Sequence, residues 1–260
     1  MVRKGVHRFS ILAGGEMAVY VTYIYTMSTD KTSDALRFAS YNIRKTKGTD
    51  RRRDPRRTVA VINDLQADVI ALQEVDHRLG DRPAALHSTL IEEETDFRVL
   101  PFARNAVSLG WHGNAILVRK DVEVAQIEHL DLPGLEPRGA VSVSLCYPFD
   151  LRVIATHLGL MRRHRRKQLR AIMDQVDPDG HTVILGDFNE WSERRGLEPL
   201  TDHFVVHSPG RSFHAARPIA GLDRIALSSG LQLRSGGVLQ SHDARRASDH
   251  LPVWADITRD

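Results

Sequence analysis

The sequence predicts one α/β domain, and three observations support this prediction. Short apolar runs with strand character alternate with amphipathic helical segments from Leu36 to the last residues of the chain. The chain has 260 residues, of which 42% are hydrophobic and 27% are charged, so it can bury a sizeable core. No internal repeat, long linker or low-complexity segment divides it. A single domain over residues 36–260 is therefore the simplest organisation.

The first 35 residues differ from the rest and predict an N-terminal extension outside this domain. The run "FSILAGGEMAVYVTYIYTM" is apolar and follows a basic start, as in a signal peptide or a membrane helix. Glu16 and the two glycines before it interrupt that run, and Met27 offers a second start site. We therefore expect residues 1–26 to be poorly ordered, dispensable or a start-site artefact. A cytoplasmic location is the prediction, with export or membrane association as the alternative.

The composition excludes a protein built on disulfides, because Cys146 is the only cysteine. It lies in the strand-like run "AVSVSLCYPF", where we expect it to be packed in the core. The net charge of +3 is modest, but basic residues concentrate in "RRRDPRR" (51–57) and "RRHRRKQLR" (162–170). Such runs either attract polyanions or form the solvated faces of helices.

The first half of the domain predicts four strands and a helix. Apolar runs with strand character are "LRFASYNI" (36–43), "DVIALQEVD" (68–76), "GNAILVRK" (113–120) and "VEVAQIEHL" (122–130). The last two lie on either side of a turn near Asp121. A helix is predicted over residues 56–66. Its apolar positions Val59, Ile62 and Leu65 form one stripe at helical spacing.

The second half predicts a hairpin, a helix and three further strands. Residues 140–158 contain two apolar runs joined by a turn at residues 148–150. A helix over residues 162–176 places Leu169, Ile172 and Val176 on one face. The remaining strands are "TVILGDFN" (182–189), "LDRIALSS" (222–229) and "LPVWADI" (251–257).

Polar side chains recur at the ends of these predicted strands. A cluster such as "VILGDFNE" is by itself typical of a turn, because glycine, aspartate and asparagine end strands. The same arrangement recurs across the chain, and strand ends in a layered sheet lie along one edge. The residues that we expect to share this edge are Asn42, Glu74, His157, Asp187, Asn189, Asp223, Asp249 and His250.

These residue types fit the hydrolysis of phosphate esters. Carboxylate and amide oxygens are ligands for Mg²⁺, Mn²⁺ or Ca²⁺, and the chain has no cysteine cluster for structural zinc. Histidines can bond a phosphate, and an aspartate near a water can act as a base. Positioning and charge neutralisation then supply most of the catalysis.

The motifs that carry these residues resemble the ordered motif set of the endonuclease/exonuclease/phosphatase family. They are "SYNIR", "DVIALQEVD", "GNAILV", "VIATHLGL", "VILGDFNE", "LDRIALSS" and "SDHLPVWADI". Each motif is weak alone, but together they follow the family order over residues 36–258. The resemblance implies a four-layer α/β/β/α sandwich of two packed mixed sheets. It also implies Mg²⁺ as the cofactor, with Mn²⁺ as a substitute.

The resemblance implies a role for each matched residue. Glu74, Asn42 and Asp249 correspond to the metal-binding positions. Asp187 corresponds to the residue that orients or deprotonates the attacking water, and Asn189 to one that helps hold the phosphate or the metal.

The histidines and two further residues have implied roles as well. His250 and His157 correspond to phosphate-facing histidines, and Asp223 would bond the far nitrogen of His250 and fix its tautomer. Asn114 resembles a pocket-lining position and Arg44 a phosphate clamp, so both are expected to bind substrate.

The sequence leaves the substrate open. It lacks an obvious equivalent of the glutamate that orients the second histidine in the deoxyribonuclease subgroup, and Arg44 stands where the abasic-site subgroup has an acid. Nucleic acid and a phospholipid or inositol phosphate both suit the basic runs. A non-catalytic binding module with the same fold is a third alternative. We expect a monomer with no stable protein partner.

Overall fold

A computed structural model of the protein describes residues 35–146, 149–192 and 195–260. The N-terminal extension predicted for residues 1–35 lies, apart from Ala35, outside the described residues. Ala35–Asp260 forms one compact unit. Within the described part of the chain, no helix is both long enough and apolar enough to cross a membrane.

Two mixed sheets of six strands each form the framework. In chain order the strands are β1 (Leu36–Asn42), β2 (Val69–Gln73), β3 (Phe97–Val99), β4 (Asn114–Arg119), β5 (Val124–Asp131), β6 (Gly139–Leu145), β7 (Leu151–His157), β8 (Thr182–Asp187), β9 (Phe204–His207), β10 (Asp223–Ser228), β11 (Leu231–Val238) and β12 (Val253–Arg259). The strand order of the first sheet is β11-β12-β1-β2-β4-β3. The order of the second sheet is β5-β6-β7-β8-β10-β9. Each sheet has one parallel pair, β1 with β2 and β7 with β8.

Four helices cover the outer faces of the two sheets. They are α1 (Pro55–Asp64), α2 (Ser88–Glu94), α3 (Arg162–Met173) and α4 (Ala244–Ala247). The carboxylate of Asp54 caps α1 by accepting a hydrogen bond from the amide of Arg57 at 3.0 Å, and Pro55 occupies the first helical position. The sequence thus carries a start signal for α1 directly before the predicted helix, which begins at residue 56.

Three apolar clusters separate these layers. The first contains residues from both sheets, such as Phe38 and Val183, and fills the space between them. The second packs α1 against the outer face of the first sheet, with Ile62 as a member. The third contains Leu169 of α3 and Ile184 of β8 and covers the second sheet. The predicted four-layer α/β/β/α sandwich is confirmed.

One edge of this sandwich, which we call the site edge, collects the predicted polar residues. It consists of the carboxyl ends of β1, β2, β7 and β8 together with the starts of β4, β6, β10 and β12. The directions follow from the pairing, because an antiparallel neighbour begins where a parallel strand ends.

Several details differ from the sequence predictions. β4 and β5 are both strands, but they belong to different sheets and do not pair across the turn near Asp121. The short or irregular elements β3, β9, β11, α2 and α4 were not predicted. The prediction of a core cysteine is wrong, because Cys146 follows the last residue of β6 and is exposed.

Candidate active site

The carboxylate of Asp187 lies at the centre of the site edge. Its Oδ2 accepts a hydrogen bond from Nδ2 of Asn42 at 3.0 Å, and its Oδ1 accepts one from the amide of Asn189 at 2.9 Å. Nε2 of His157 lies 3.4 Å from the same Oδ2, and Nε2 of His250 lies 3.7 Å from it. Asp187 is buried, and burial raises its pKa above the ordinary value, although the charge of His250 opposes this rise.

Strand register explains why these side chains meet. The parallel pair β7–β8 places His157 opposite Asp187, and the antiparallel pair β8–β10 places Asp223 opposite Asp187. Asn42 is the last residue of β1 in the other sheet, so its bond to Asp187 crosses between the sheets. The site is therefore built on strand ends, whose positions the two sheets fix.

A hydrogen-bond chain extends behind Asp187. Nδ1 of His250 lies 2.9 Å from Oδ2 of Asp223, and the hydroxyl of Ser212 donates to that oxygen at 2.5 Å. Burial alone would lower the pKa of His250, but the carboxylates of Asp223 and Asp187 outweigh it and raise the pKa to about 9. His250 can thus present a protonated Nε2 toward Asp187.

His157 is in the opposite electrostatic situation. It is buried, and burial together with the charges of Arg138 and His250 holds its pKa well below the ordinary value. One neutral and one protonated imidazole therefore flank the same carboxylate. Such a pair can accept a proton on one side and donate a hydrogen bond on the other.

Glu74 and Asp249 lie beside this centre with cationic partners. The carboxylate of Glu74 pairs with the ammonium of Lys45 and, at 3.3 Å, with Arg78. Asp249 pairs with Arg44 at 3.2 Å. Glu74 has a φ of 55°, a left-handed conformation that is uncommon outside glycine, immediately after β2 ends. Such strain is found where the surrounding fold fixes the direction of a functional side chain.

Two groups of residues could hold a divalent cation. Asp187, Asp223 and His250 offer one ligand atom each, all within 4.8 Å of one another. However, Nδ1 of His250 is engaged by Asp223, so this group is better suited to moving a proton than to binding a hard cation. The second group, Glu74, Asp249 and Asn42, offers only oxygen atoms. Both of its carboxylates are paired with cationic side chains, and oxygen ligands of this kind suit a hard divalent cation.

A pocket of about 140 Å³ opens next to this group. Glu74 and His157 line it, together with Arg78, Arg82 and Arg138. Arg138 binds Glu136 at 3.0 Å, and Nη1 of Arg82 lies 3.0 Å from Nδ1 of His112. Burial and the charge of Arg82 lower the pKa of His112, which keeps this imidazole neutral as an acceptor. The lining of the pocket therefore combines several cationic side chains with the carboxylate of Glu74.

Of the ten predicted site residues, Glu74 and His157 line this pocket, and three of the others make contacts that hold the surrounding backbone or a neighbouring carboxylate. Asn114 is fully buried, and its Nδ2 donates to the carbonyl of Gly139 at 3.0 Å, which joins β4 to β6 between the sheets. Nδ2 of Asn189 donates to the carbonyl of Leu158 at 2.9 Å, so Asn189 holds the segment after β7. Arg44 faces Asp249 as described.

Sequence reasoning missed several residues of the site. Lys45, Arg78, Arg82, Arg138 and Ser212 lie in irregular segments whose folding no local pattern predicts. The one signal in the sequence was that some of these residues lie beside matched motifs. Lys45 directly follows "SYNIR", and Arg78 comes two residues after "LQEVD".

A model of the Endonuclease/Exonuclease/phosphatase family matches residues 39–250 of the chain. The "Uncharacterized protein YbhP" of Escherichia coli (strain K12) is 30% identical over 217 residues, which cover 75% of this chain and 85% of that protein.

Solved structures share the fold at lower identity. An endonuclease/exonuclease/phosphatase from Beutenbergia cavernae has a TM-score of 0.68 and 23% identity, over 86% of this chain and 72% of that chain. D. rerio TDP2 complexed with single strand DNA product has a TM-score of 0.65 and 16% identity, over 87% and 100% of the two chains.

Proposed function

Because the chain belongs to the endonuclease/exonuclease/phosphatase family, whose fold is that of hydrolytic phosphoesterases, we propose that it hydrolyses a phosphoester bond with the help of a divalent cation. The cation is Mg²⁺, with Mn²⁺ as a substitute. The observation that carries this proposal is the carboxylate of Asp187 between the imidazoles of His157 and His250.

Asp187 orients the attacking water and accepts its proton. Burial raises its pKa, which makes the carboxylate a better base than an exposed aspartate. Its bonds from Asn42 and from the amide of Asn189 hold the carboxylate in one orientation. Asn189 contributes through this amide, and its side chain keeps the adjoining segment in place.

His250 binds the phosphate oxygens on which negative charge develops. Its Nδ1 contacts Asp223, which leaves Nε2 directed at the centre of the site. Asp223 thus fixes both the tautomer and the orientation of the ring. His157 faces the substrate from the neighbouring strand.

Glu74, Asn42 and Asp249 hold the cation in this proposal. When bound, Mg²⁺ would neutralise charge on the scissile phosphate. Arg44, which pairs with Asp249, binds a phosphate of the substrate in this proposal. Asn114 supports the site from behind rather than by contact.

The substrate is a phosphate ester of nucleic acid, phospholipid or inositol phosphate. TDP2 was solved with a single strand DNA product, which keeps nucleic acid among the candidates. We further propose that the protein acts in the cytoplasm as a monomer, without a stable protein partner. Its single cysteine is compatible with a reducing compartment.

Hydrolysis by the full chain should be measured against plasmid DNA, RNA, bis-p-nitrophenyl phosphate, an inositol polyphosphate and a phospholipid. We expect the wild type to hydrolyse at least one of these esters and EDTA to stop the reaction. The rate of Asp187→Asn should be about 10²–10⁴-fold lower than that of the wild type. The matched control is Asp121→Asn, since the Asp121 side chain is 65% exposed at the opposite edge. A folded, cation-binding protein that leaves the whole panel intact would instead be a binding module.

A further inference from the structure

The site edge exposes large apolar side chains that a soluble active site does not need. In the described part of the chain, the exposed large apolar residues are Leu79, Val107, Leu135, Leu160, Met161, Trp191, Val205 and Ile219. All of these except Val205 lie in segments that follow or precede strands at the site edge. Exposed apolar residues concentrated on one face mark an interaction surface, whereas scattered ones are ordinary.

Two of these residues adjoin, along the chain, residues that line the cationic pocket. Leu79 is 85% exposed and follows Arg78 in the loop after β2. Leu135 is 81% exposed and precedes Glu136 in the loop before β6. Exposed leucines thus lie directly beside lining residues of a pocket whose interior is charged.

Two more exposed apolar residues adjoin the loop before β6. The amide of Leu160 donates to Oε1 of Glu136 at 2.8 Å, so Leu160 lies next to the loop that carries Leu135. Leu160 is 68% exposed, and the exposed Met161 follows it directly before α3. Leu135, Leu160 and Met161 therefore lie on two neighbouring segments beside the pocket.

The charge around these apolar residues is positive. Arg163 lies in the first turn of α3 with its Nη2 4.0 Å from Sδ of Met161, and the Arg78 side chain is 67% exposed. The acids of the pocket are already engaged, since Glu74 pairs with Lys45 and Glu136 accepts from Arg138. Arg82 contacts the neutral ring of His112, so its charge is available to an anion.

We propose that the site edge docks on the surface of a bilayer that contains anionic phospholipid. Leu79, Leu135, Leu160 and Met161 enter the interface, and the pocket receives the phosphoester head group. The inference rests on the proposed function for the reaction, and it names a phospholipid as the substrate class. Apolar area combined with basic residues is what binds proteins reversibly to anionic membranes.

Nucleic acid fits this surface less well. Single strands bind on grooves where bases stack on aromatic rings, whereas the exposed apolar residues beside this pocket are leucine and methionine. Trp191 is the aromatic residue among the exposed large apolar side chains of the described segments. Its ring contacts that of Phe213 edge to face with centroids 6.0 Å apart, and neither residue lines this pocket.

A fluorophore on each edge of the molecule tests the orientation directly. The native Cys146 is exposed on the edge opposite the site edge, so a label there is the internal control. The test protein is the full chain with Cys146→Ser and Leu135→Cys, labelled with an environment-sensitive dye. We expect phosphatidylglycerol vesicles to blue-shift the dye at position 135 but not at position 146. Equal responses at both positions, or none at position 135, would overturn the proposal.

A second experiment compares binding by unlabelled full-length variants. Leu135→Ser with Leu160→Ser should reduce binding to phosphatidylglycerol vesicles about tenfold or more. Val205→Ser is the matched control, since Val205 is 63% exposed on β9, away from the site edge. Equal binding by the two variants would refute docking. Docking would also be refuted if the wild type bound a labelled single-stranded oligonucleotide but not vesicles, and if the double substitution abolished this oligonucleotide binding.

Hydrolysis of bis-p-nitrophenyl phosphate separates this inference from the proposed function. Leu135 and Leu160 do not contact the catalytic groups, so their substitution should leave the rate on this soluble ester unchanged. Vesicle binding without hydrolysis of any ester would refute the proposed function while leaving docking intact. Hydrolysis of the soluble ester without vesicle binding would refute docking alone.

Discussion

Nδ2 of Asn42 donates to Oδ2 of Asp187 at 3.0 Å, and this bond connects residues 145 positions apart in two different sheets. Both side chains are buried. The bond therefore stabilises the junction of the sheets at the same point where it orients the proposed base. Few contacts in the protein serve structure and chemistry so directly at once.

Replacing Asn42 should affect stability and rate together. Asn42→Ala leaves a buried carboxylate with one donor fewer, which costs about 1–3 kcal/mol in the free energy of unfolding. The matched control is Asn63→Ala. In the wild type, Nδ2 of Asn63 donates to the carbonyl of Glu94 at 2.9 Å on the surface. Urea unfolding and ester hydrolysis measure the two effects. An equal loss of stability in both variants would contradict the structural role of the inter-sheet bond.

Glu74→Ala should weaken cation binding more than it changes the fold. The substitution removes one carboxylate from the group formed by Glu74, Asp249 and Asn42. Even the loss of a residue that only hydrogen-bonds a metal ligand lowers metal affinity about 10–100-fold. We expect the dissociation constant for Mn²⁺ to rise at least tenfold by calorimetry, and excess Mg²⁺ to restore part of the activity. Glu93→Ala, an exposed change on α2, provides the reference. Unchanged cation affinity would remove Glu74 from the proposed ligands.

Asp223→Asn should lower kcat and leave KM nearly unchanged. Asp223 contacts His250 and Ser212 rather than the substrate. The amide of an asparagine could still accept hydrogen bonds there, but it lacks the negative charge that raises the pKa of His250. A fall in kcat of about 10²–10⁴-fold follows from comparable positioning residues. Asp202→Asn, an exposed change, controls for charge. A rise in KM with normal kcat would argue against the positioning role.

Glu190 should make stability depend on pH. It is buried, which would raise its pKa, but hydrogen bonds from Arg162 and Arg165 lower the pKa from 4.5 to about 2. A depressed folded-state pKa stabilises the protein above pH 4.5, and this contribution is lost as the pH falls from 4.5 toward 2.

Glu190→Gln should therefore lose about 3 kcal/mol at pH 7, because it leaves the buried guanidinium of Arg165 without a counter-charge. Its urea midpoint should also fall less than that of the wild type between pH 5 and pH 3, because the glutamine side chain has no carboxylate to protonate. Glu93→Gln serves as the control. Parallel pH curves for the wild type and Glu190→Gln would contradict this account.

The regular elements could be predicted because their signals are local. The stripe of α1 and the apolar runs of β1, β2 and β8 each lie within a dozen residues. Pairing is not local, which is why β4 and β5 were not assigned to separate sheets. β3, with three residues, and α4, with four, are too short to show a period.

The site could be predicted only where its residues end, begin or closely adjoin regular strands. Asn42, His157 and Asp187 are the last residues of β1, β7 and β8, so their meeting follows from strand direction. Ser212 and Arg138 reach the site through irregular loops, whose course depends on the packing of the whole chain. Their contribution could be recognised only from the folded structure.

The place of β12 in the first sheet has a consequence for biosynthesis. It lies between β1 and β11, and Arg37 on β1 binds Asp256 on β12 at 2.7 Å although the two are 219 positions apart. A nascent chain on the ribosome thus holds β1 with one unsatisfied flank until β12 has been synthesised, and long-range closure of this kind is slow. His250 emerges just ahead of β12. Translation products that stop before β12 should therefore be both inactive and prone to aggregate, which makes quality control of this protein depend on completion of β12.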